Sequence, residues 1–143
     1  MTRNSRFAVS VHILAYLAYR AGSAVSSSEI AGSVDTNPVV IRRLLSALVK
    51  ARLVTAQKGA TGGFSLACAP EEISLLDIYR AVHAQPSPAL RHFAPNQLCP
   101  VGARIETIIG DLFAKAQASM EAELARATLS GINHQVQHAC AAK

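Results

Sequence analysis

The sequence has no tryptophan, only three tyrosines and four phenylalanines, and three cysteines in 143 residues. Those cysteines, Cys68, Cys99 and Cys140, are odd in number and far apart. They offer neither a disulfide framework nor a CxxC zinc spacing, so reduced thiols are expected. No apolar run reaches the ~20 residues that a membrane helix requires, because Arg6 and His12 interrupt the opening stretch, and no secretory cleavage pattern follows it. This predicts a cytoplasmic protein without membrane contact. Enzymatic signatures are missing as well. Ser26, Ser27 and Ser28 lack a GxSxG context, and the run GATGG at 59–63 lacks the Gly-Lys-Ser/Thr ending of a phosphate loop. The histidines form no HExxH; His134 and His138 stand four apart with Cys140 nearby, a metal-compatible spacing for which a solvated C-terminal tail is the simpler reading. No enzyme is expected.

Acidic residues are also few, nine against fourteen Lys/Arg, and the shortage is local. Residues 1–64 carry eight Lys/Arg against Glu29 and Asp35, whereas residues 65–143 carry six against seven. The first half therefore faces a polyanion.

What the sequence does contain is helical periodicity with strong punctuation. Ser5 to Arg20 repeats apolar residues at helical spacing and predicts a well-buried first helix ending near Gly22. Ser26 to Ser28 can cap a short second helix that stops at Val34-Asp35. Thr36-Asn37-Pro38 is a helix start, with Asn37 as cap and proline at the first position, where its missing amide costs nothing. The third helix, to about Ala51, carries the apolar stripe Ile41, Leu44, Leu45, Leu48 and Val49. Two β-compatible runs then flank the glycine-rich tip Lys58 to Gly63, which predicts a hairpin. Helix-turn-helix followed by a hairpin is a winged helix. Ser74 and Asp77 form a capping box opening a helix to about His83. Pro86, Pro88 and Pro95 then exclude a regular helix over 84–98. From Pro100 to about Ala127 apolar periodicity returns, including Ile105, Ile108, Leu112, Phe113, Met120 and Leu124. Such a helix, ~40 Å long at ~1.5 Å per residue, outruns what one small domain can cover, so its stripe needs a second subunit. A last amphipathic turn spans Ser130 to His138, and Ala139 to Lys143 is expected to fray. The fold class is thus mainly α with a small β wing, a winged helix-turn-helix plus a long C-terminal dimerisation helix. The divisions fall at 1–69 for the winged helix, 70–98 for the connecting helix and Pro-rich loop, and 99–143 for the dimerisation helices and tail.

On this layout the third helix faces double-stranded DNA with Asn37, Val39, Arg42 and Arg43, since a guanidinium suits guanine edges and phosphate oxygens. An arginine pair alone favours a solvated helix face; the proline-started helix, the basic half and the glycine-rich hairpin together decide for DNA. Lys58 stands in the wing, where glycines permit close approach to a phosphate or a narrow minor groove. Arg3 and Arg6, at the start of the first helix, are further phosphate candidates. The alternative is a non-DNA protein-interaction module regulating an enzyme complex, which has no need of such one-signed charge.

The order of these motifs carries a family resemblance. Helix-turn-helix, the wing Lys58-Gly59-x-x-Gly62-Gly63-Phe64-x-Leu66, the segment Ile73 to Val82, and Cys99-Pro100-Val101-Gly102 before a long helix resemble the Rrf2 family of bacterial transcription regulators over about residues 1–130. The segment from Thr36 to Arg43 and the Cys-Pro-Val-Gly pattern place the resemblance nearest a branch that includes a Bacillus regulator-like protein. The resemblance implies a homodimer joined through the long helix, binding a pseudo-palindromic operator and usually repressing. It also implies DNA contacts at Asn37, Val39, Arg42, Arg43 and Lys58. The sensing region departs from the family's iron-sulfur members, which cluster three cysteines before the long helix where this chain has Cys99 alone. No cofactor is expected, an iron-sulfur cluster included; His92 and Cys99 would be the mixed ligands of any cluster completed across a dimer. Two readings of Cys99 remain open. As a cap before Pro100 it becomes a reactive thiolate and a redox sensor; alternatively Leu98 and Cys99 are buried as apolar staples.

Overall fold

The computed structural model describes residues 3–83 and 94–142, with side chains from Ser5 onward. The expected Pro-rich loop falls largely on 84–93, outside the described residues. Among the described residues, six α-helices and one two-stranded sheet follow in chain order: α1 (Arg3–Tyr19), α2 (Ser27–Val34), α3 (Pro38–Lys50), β1 (Val54–Gln57), β2 (Gly63–Leu66), α4 (Leu75–Val82), α5 (Gly102–Arg126) and α6 (Leu129–Ala141).

The helices begin where polar side chains satisfy their free amides. Ser26 accepts the amide of Glu29 at 3.1 Å at the start of α2, and Ser74 and Asp77 form the reciprocal capping box of α4. Both helices of the helix-turn-helix end on a residue with left-handed backbone, Asp35 after α2 (φ 54°) and Arg52 after α3 (φ 61°). At Arg52 the pairing of Leu53 N with Leu48 O and of Arg52 N with Val49 O is a Schellman turn, made here without the usual glycine.

Between these ends, apolar spacing builds one core. Ile13, Leu14 and Leu17 of α1 meet Ile30 of α2, Ile41, Leu44, Leu45 and Leu48 of α3, and Ile78 of α4, all buried. Helix α1 packs against α2, α3, α4, α6 and β2, which is why its apolar residues surround it rather than forming one narrow stripe. The hairpin is antiparallel with Val54 opposite Leu66 and Gln57 opposite Gly63.

Two elements differ from the sequence expectation. Helix α5 starts at Gly102, two residues beyond Pro100, although Val101 already has helical backbone angles. Helix α6 is a full helix to Ala141, so the tail expected to fray is helical to that point. Thr128 accepts the amide of Gly131 at 3.1 Å and caps it, and its alanine-rich end has high intrinsic helix propensity. Leu129 is fully buried, and Leu75 N to Ala127 O and Leu129 N to Ile73 O, both 2.9 Å, tie the α5–α6 corner to the start of α4. At ~1.5 Å per residue α5 extends ~38 Å. Its Ile108, Leu112 and Phe113 are 60%, 61% and 56% exposed in the single chain.

Candidate nucleic-acid interface

Helix α3 owes its position to its buried stripe, which fixes the opposite face outward. Its first turn is set by Asn37, whose Oδ1 accepts the amide of Val39 at 2.8 Å, and by Pro38 at the first helical position. The cap occupies the oxygen of Asn37 and leaves its amide NH2 group as a donor. Val39, Arg42 and Arg43 are exposed on the outward face, as is Lys58 in the loop of the hairpin. The three ion pairs among the described residues are Arg20–Glu29, Arg80–Glu121 and Arg126–Glu123. Arg42, Arg43 and Lys58 take part in none of them, so their charges are available to an anion.

The structure adds relations that no local sequence signal announced. Arg6 of α1 and Arg43 of α3 line one cleft of about 260 Å³ with Val40 and Leu44, placing two guanidinium-bearing side chains around a single opening. The side chain of Arg3 lies outside the described set. Of the two acids in the basic half, Glu29 is held by Arg20 and by the Tyr16 hydroxyl at 3.0 Å, and His12 Nε2 contacts Ser33 Oγ at 3.1 Å. These contacts lock α1 to α2 and neutralise one of the few negative charges on this half. They join residues 9 to 21 positions apart, beyond any helical repeat.

The wing is fastened to the same frame. Val25, just before α2, exchanges both backbone hydrogen bonds with Phe64, at 2.9 and 2.8 Å. A Cβ at Gly63 would sit 2.6 Å from the Val25 carbonyl oxygen, so only glycine permits this approach. The hairpin whose loop bears Lys58 is thereby tied to the residue that leads into the helix-turn-helix.

Before α5, the chain folds the Cys99 segment into a cap. The Cys99 amide donates to Asn96 O at 3.2 Å, Leu98 N donates to Asn96 Oδ1 at 3.0 Å, and Ala103 N donates to Cys99 O at 2.9 Å. A Cβ on Gly102 would run into the Asn96 carbonyl, which explains the glycine there. The backbone amides of Gly102, chiefly, and Val101 point at the Cys99 sulfur and hold its thiol below the ordinary range. Leu98 is 94% exposed and Cys99 is exposed too, so the reading of both as buried staples does not hold in the single chain. Cys68 behaves oppositely: burial, then Glu72 and Asp77, push its thiol up.

An iron-sulfur cluster needs several thiolates at one place. Among the described residues no three His, Cys, Asp or Glu side chains are gathered for a metal ion. Cys68 follows β2, Cys99 precedes α5 and Cys140 closes α6, so the cysteines do not fit such a group within one subunit. His92 lies outside the described residues. No described helix is long and apolar enough to cross a membrane.

Comparison with known proteins agrees with this geometry. The family model Rrf2, described as iron-dependent transcriptional regulator, matches residues 3–135. The chain is 44% identical over 132 residues to YwnA of Bacillus subtilis (strain 168), an HTH-type transcriptional regulator by name, covering 92% of this chain and 97% of that protein. A crystal structure of a transcriptional regulator from Lactobacillus plantarum superposes with a TM-score of 0.82 at 32% identity, over 93% of this chain and 90% of that one. Another crystal structure, described as a DNA-binding protein, gives a TM-score of 0.71 at 40% identity, over 89% and 97%.

Proposed function

The chain belongs to the Rrf2 family of transcriptional regulators, and on that footing we propose that it acts as a homodimer which represses promoters by binding a pseudo-palindromic operator in the cytoplasm. The observation that carries this reading is the outward face of α3: Val39, Arg42 and Arg43 exposed and outside the ion pairs, on a helix that packs against strand β1 of the wing that bears Lys58. In this reading the first turn of α3 enters the major groove. Arg43 and Arg6 each contact one of two adjacent phosphates from their shared cleft, and Lys58 follows the backbone beyond. The amide NH2 of Asn37 is a donor for the groove, while its oxygen keeps the cap.

Dimerisation is supported by α5. Its exposed Ile108, Leu112 and Phe113 form an apolar stripe on a helix ~38 Å long. Pairing with the same helix of a second copy covers it and sets two α3 helices on one side of a duplex.

The regulatory input in this proposal is Cys99. An exposed thiolate facing two amides attacks a disulfide such as oxidised glutathione, forming a mixed disulfide and releasing the other half as thiol. The added bulk at the entrance of α5 then alters the dimer on which operator spacing depends.

Selection from a pool of random duplexes tests the core of this reading. Enrichment of an inverted repeat is the expected outcome, and retention of unrelated sequences at equal efficiency would refute it. Treatment with oxidised glutathione should weaken binding to the enriched duplex in the wild type and leave Cys99→Ser unaffected; equal loss in both would remove Cys99 from the mechanism.

A further inference from the structure

Beyond the DNA face and the Cys99 cap, the exposed side of α6 holds two imidazoles whose nitrogens converge. His134 Nε2 and His138 Nε2 lie 3.1 Å apart, with the rings edge to face and their centroids 4.3 Å apart. Both residues are exposed. At ~100° per residue the pair projects about 160° round the helix from Ile132 and Val136, which line the groove against α1. Cys140 projects about 140° away from the pair and cannot complete a site with it in the same chain.

We propose that His134 and His138 form a chelating site for a late first-row divalent cation, the class that includes Ni²⁺, Cu²⁺, Co²⁺ and Zn²⁺. Imidazole is the ligand these ions favour. With bonds of ~2.1 Å to one metal, two nitrogens sit ~3.0 Å apart at a right angle and ~3.4 Å apart at a tetrahedral angle. The observed 3.1 Å falls between these limits, so the spacing of the two nitrogens already suits a shared ion. Chelation requires both Nε2 lone pairs, with each neutral ring carrying its proton on Nδ1. Water completes the coordination, because the pair faces solvent.

The ion bridges successive turns of the exposed C-terminal part of α6, where residues 134–142 have little burial to hold them. It therefore staples the helix end against fraying, on the element whose inner face meets α1 of the winged helix. The site is independent of the cysteines and of the proposed thiol response.

Calorimetric titration of Ni²⁺ into the metal-free full chain tests the assignment, with hydrogen exchange of the α6 amides as a second readout. The wild type should bind one ion per chain and slow exchange in the last turns of α6. His138→Ala should bind roughly a hundredfold more weakly, having lost the second imidazole as an intramolecular ligand, while Cys140→Ser should match the wild type. Both substituted positions are exposed, so folding is not at stake. Equal binding by His138→Ala, or no binding by the wild type at millimolar Ni²⁺, would show that the two rings merely hydrogen-bond. A matching loss in Cys140→Ser would overturn the proposed ligand set.

Discussion

Replacing Arg43 by alanine puts the DNA assignment to a quantitative test, because the side chain is exposed on α3 and outside the ion pairs of the described residues. Removing it should change folding stability by no more than ~0.5 kcal/mol, as for other surface positions. Each phosphate neutralised by a cation contributes ~0.9 to the slope of log affinity against log salt. A dimer loses two such contacts, so the slope should fall by about 1.8. Between about 50 and about 200 mM salt, that difference amounts to a factor of roughly twelve in affinity. The gap between wild type and variant should therefore be widest at low salt and narrow by about that factor over this range. Fluorescence anisotropy with one labelled duplex, titrated at four salt concentrations, measures it. Arg126→Ala is the control: its guanidinium pairs with Glu123 at 3.0 Å near the end of α5, and its slope should equal that of the wild type. An unchanged slope for Arg43→Ala would refute the phosphate contact, even if affinity fell uniformly.

Other consequences follow from the local geometry. Asn37→Ala removes the cap of α3 and should cost ~1 kcal/mol, read as a lower denaturant midpoint with unchanged slope. Arg52→Gly should raise stability by roughly 0.5 kcal/mol, since relief of the left-handed backbone, ~1–2 kcal/mol, outweighs the ~0.4–1 kcal/mol of added chain entropy in the unfolded state; thermal unfolding checks the sign. Alkylation by iodoacetamide, followed by peptide mass spectrometry across pH, should give Cys99 a lower midpoint than Cys68. A lowered thiol pKa keeps the reactive thiolate to lower pH, whereas burial and neighbouring carboxylates at Cys68 act in the other direction. Gly102→Ala, by driving a Cβ into the Asn96 carbonyl, should disturb the cap and move the Cys99 midpoint up.

Much of the fold is legible because its signals are local. Asn37-Pro38, Ser74 with Asp77, and the glycine-rich tip each satisfy backbone groups within four residues, and the apolar stripe of α3 repeats within two turns. What sequence reading loses is of two kinds. The Val25–Phe64 pairing, the Arg6–Arg43 cleft and the Tyr16–Glu29 contact join residues 13 to 39 positions apart, and no periodicity encodes them. The full length of α6 was hidden differently: its cap, Thr128, follows the preceding helix directly, and Leu129 gains its burial from the distant start of α4. Cys99 shows both limits. Its place before Pro100 at the entrance of α5 marks it as a capping thiol, but its exposure depends on how residues 96–102 turn, and Gly102 decides that by admitting the Asn96 carbonyl.

The central claim is that two copies joined along α5 set two α3 helices on one face of a duplex. Hydroxyl-radical footprinting of the selected operator, with the number of bound chains counted by native mass spectrometry, tests it most directly. Two chains per duplex, protecting two equivalent patches whose centres lie a whole number of ~10.5-bp turns apart, is the predicted result. One chain protecting a single patch, or protection spread evenly along the duplex, would contradict it.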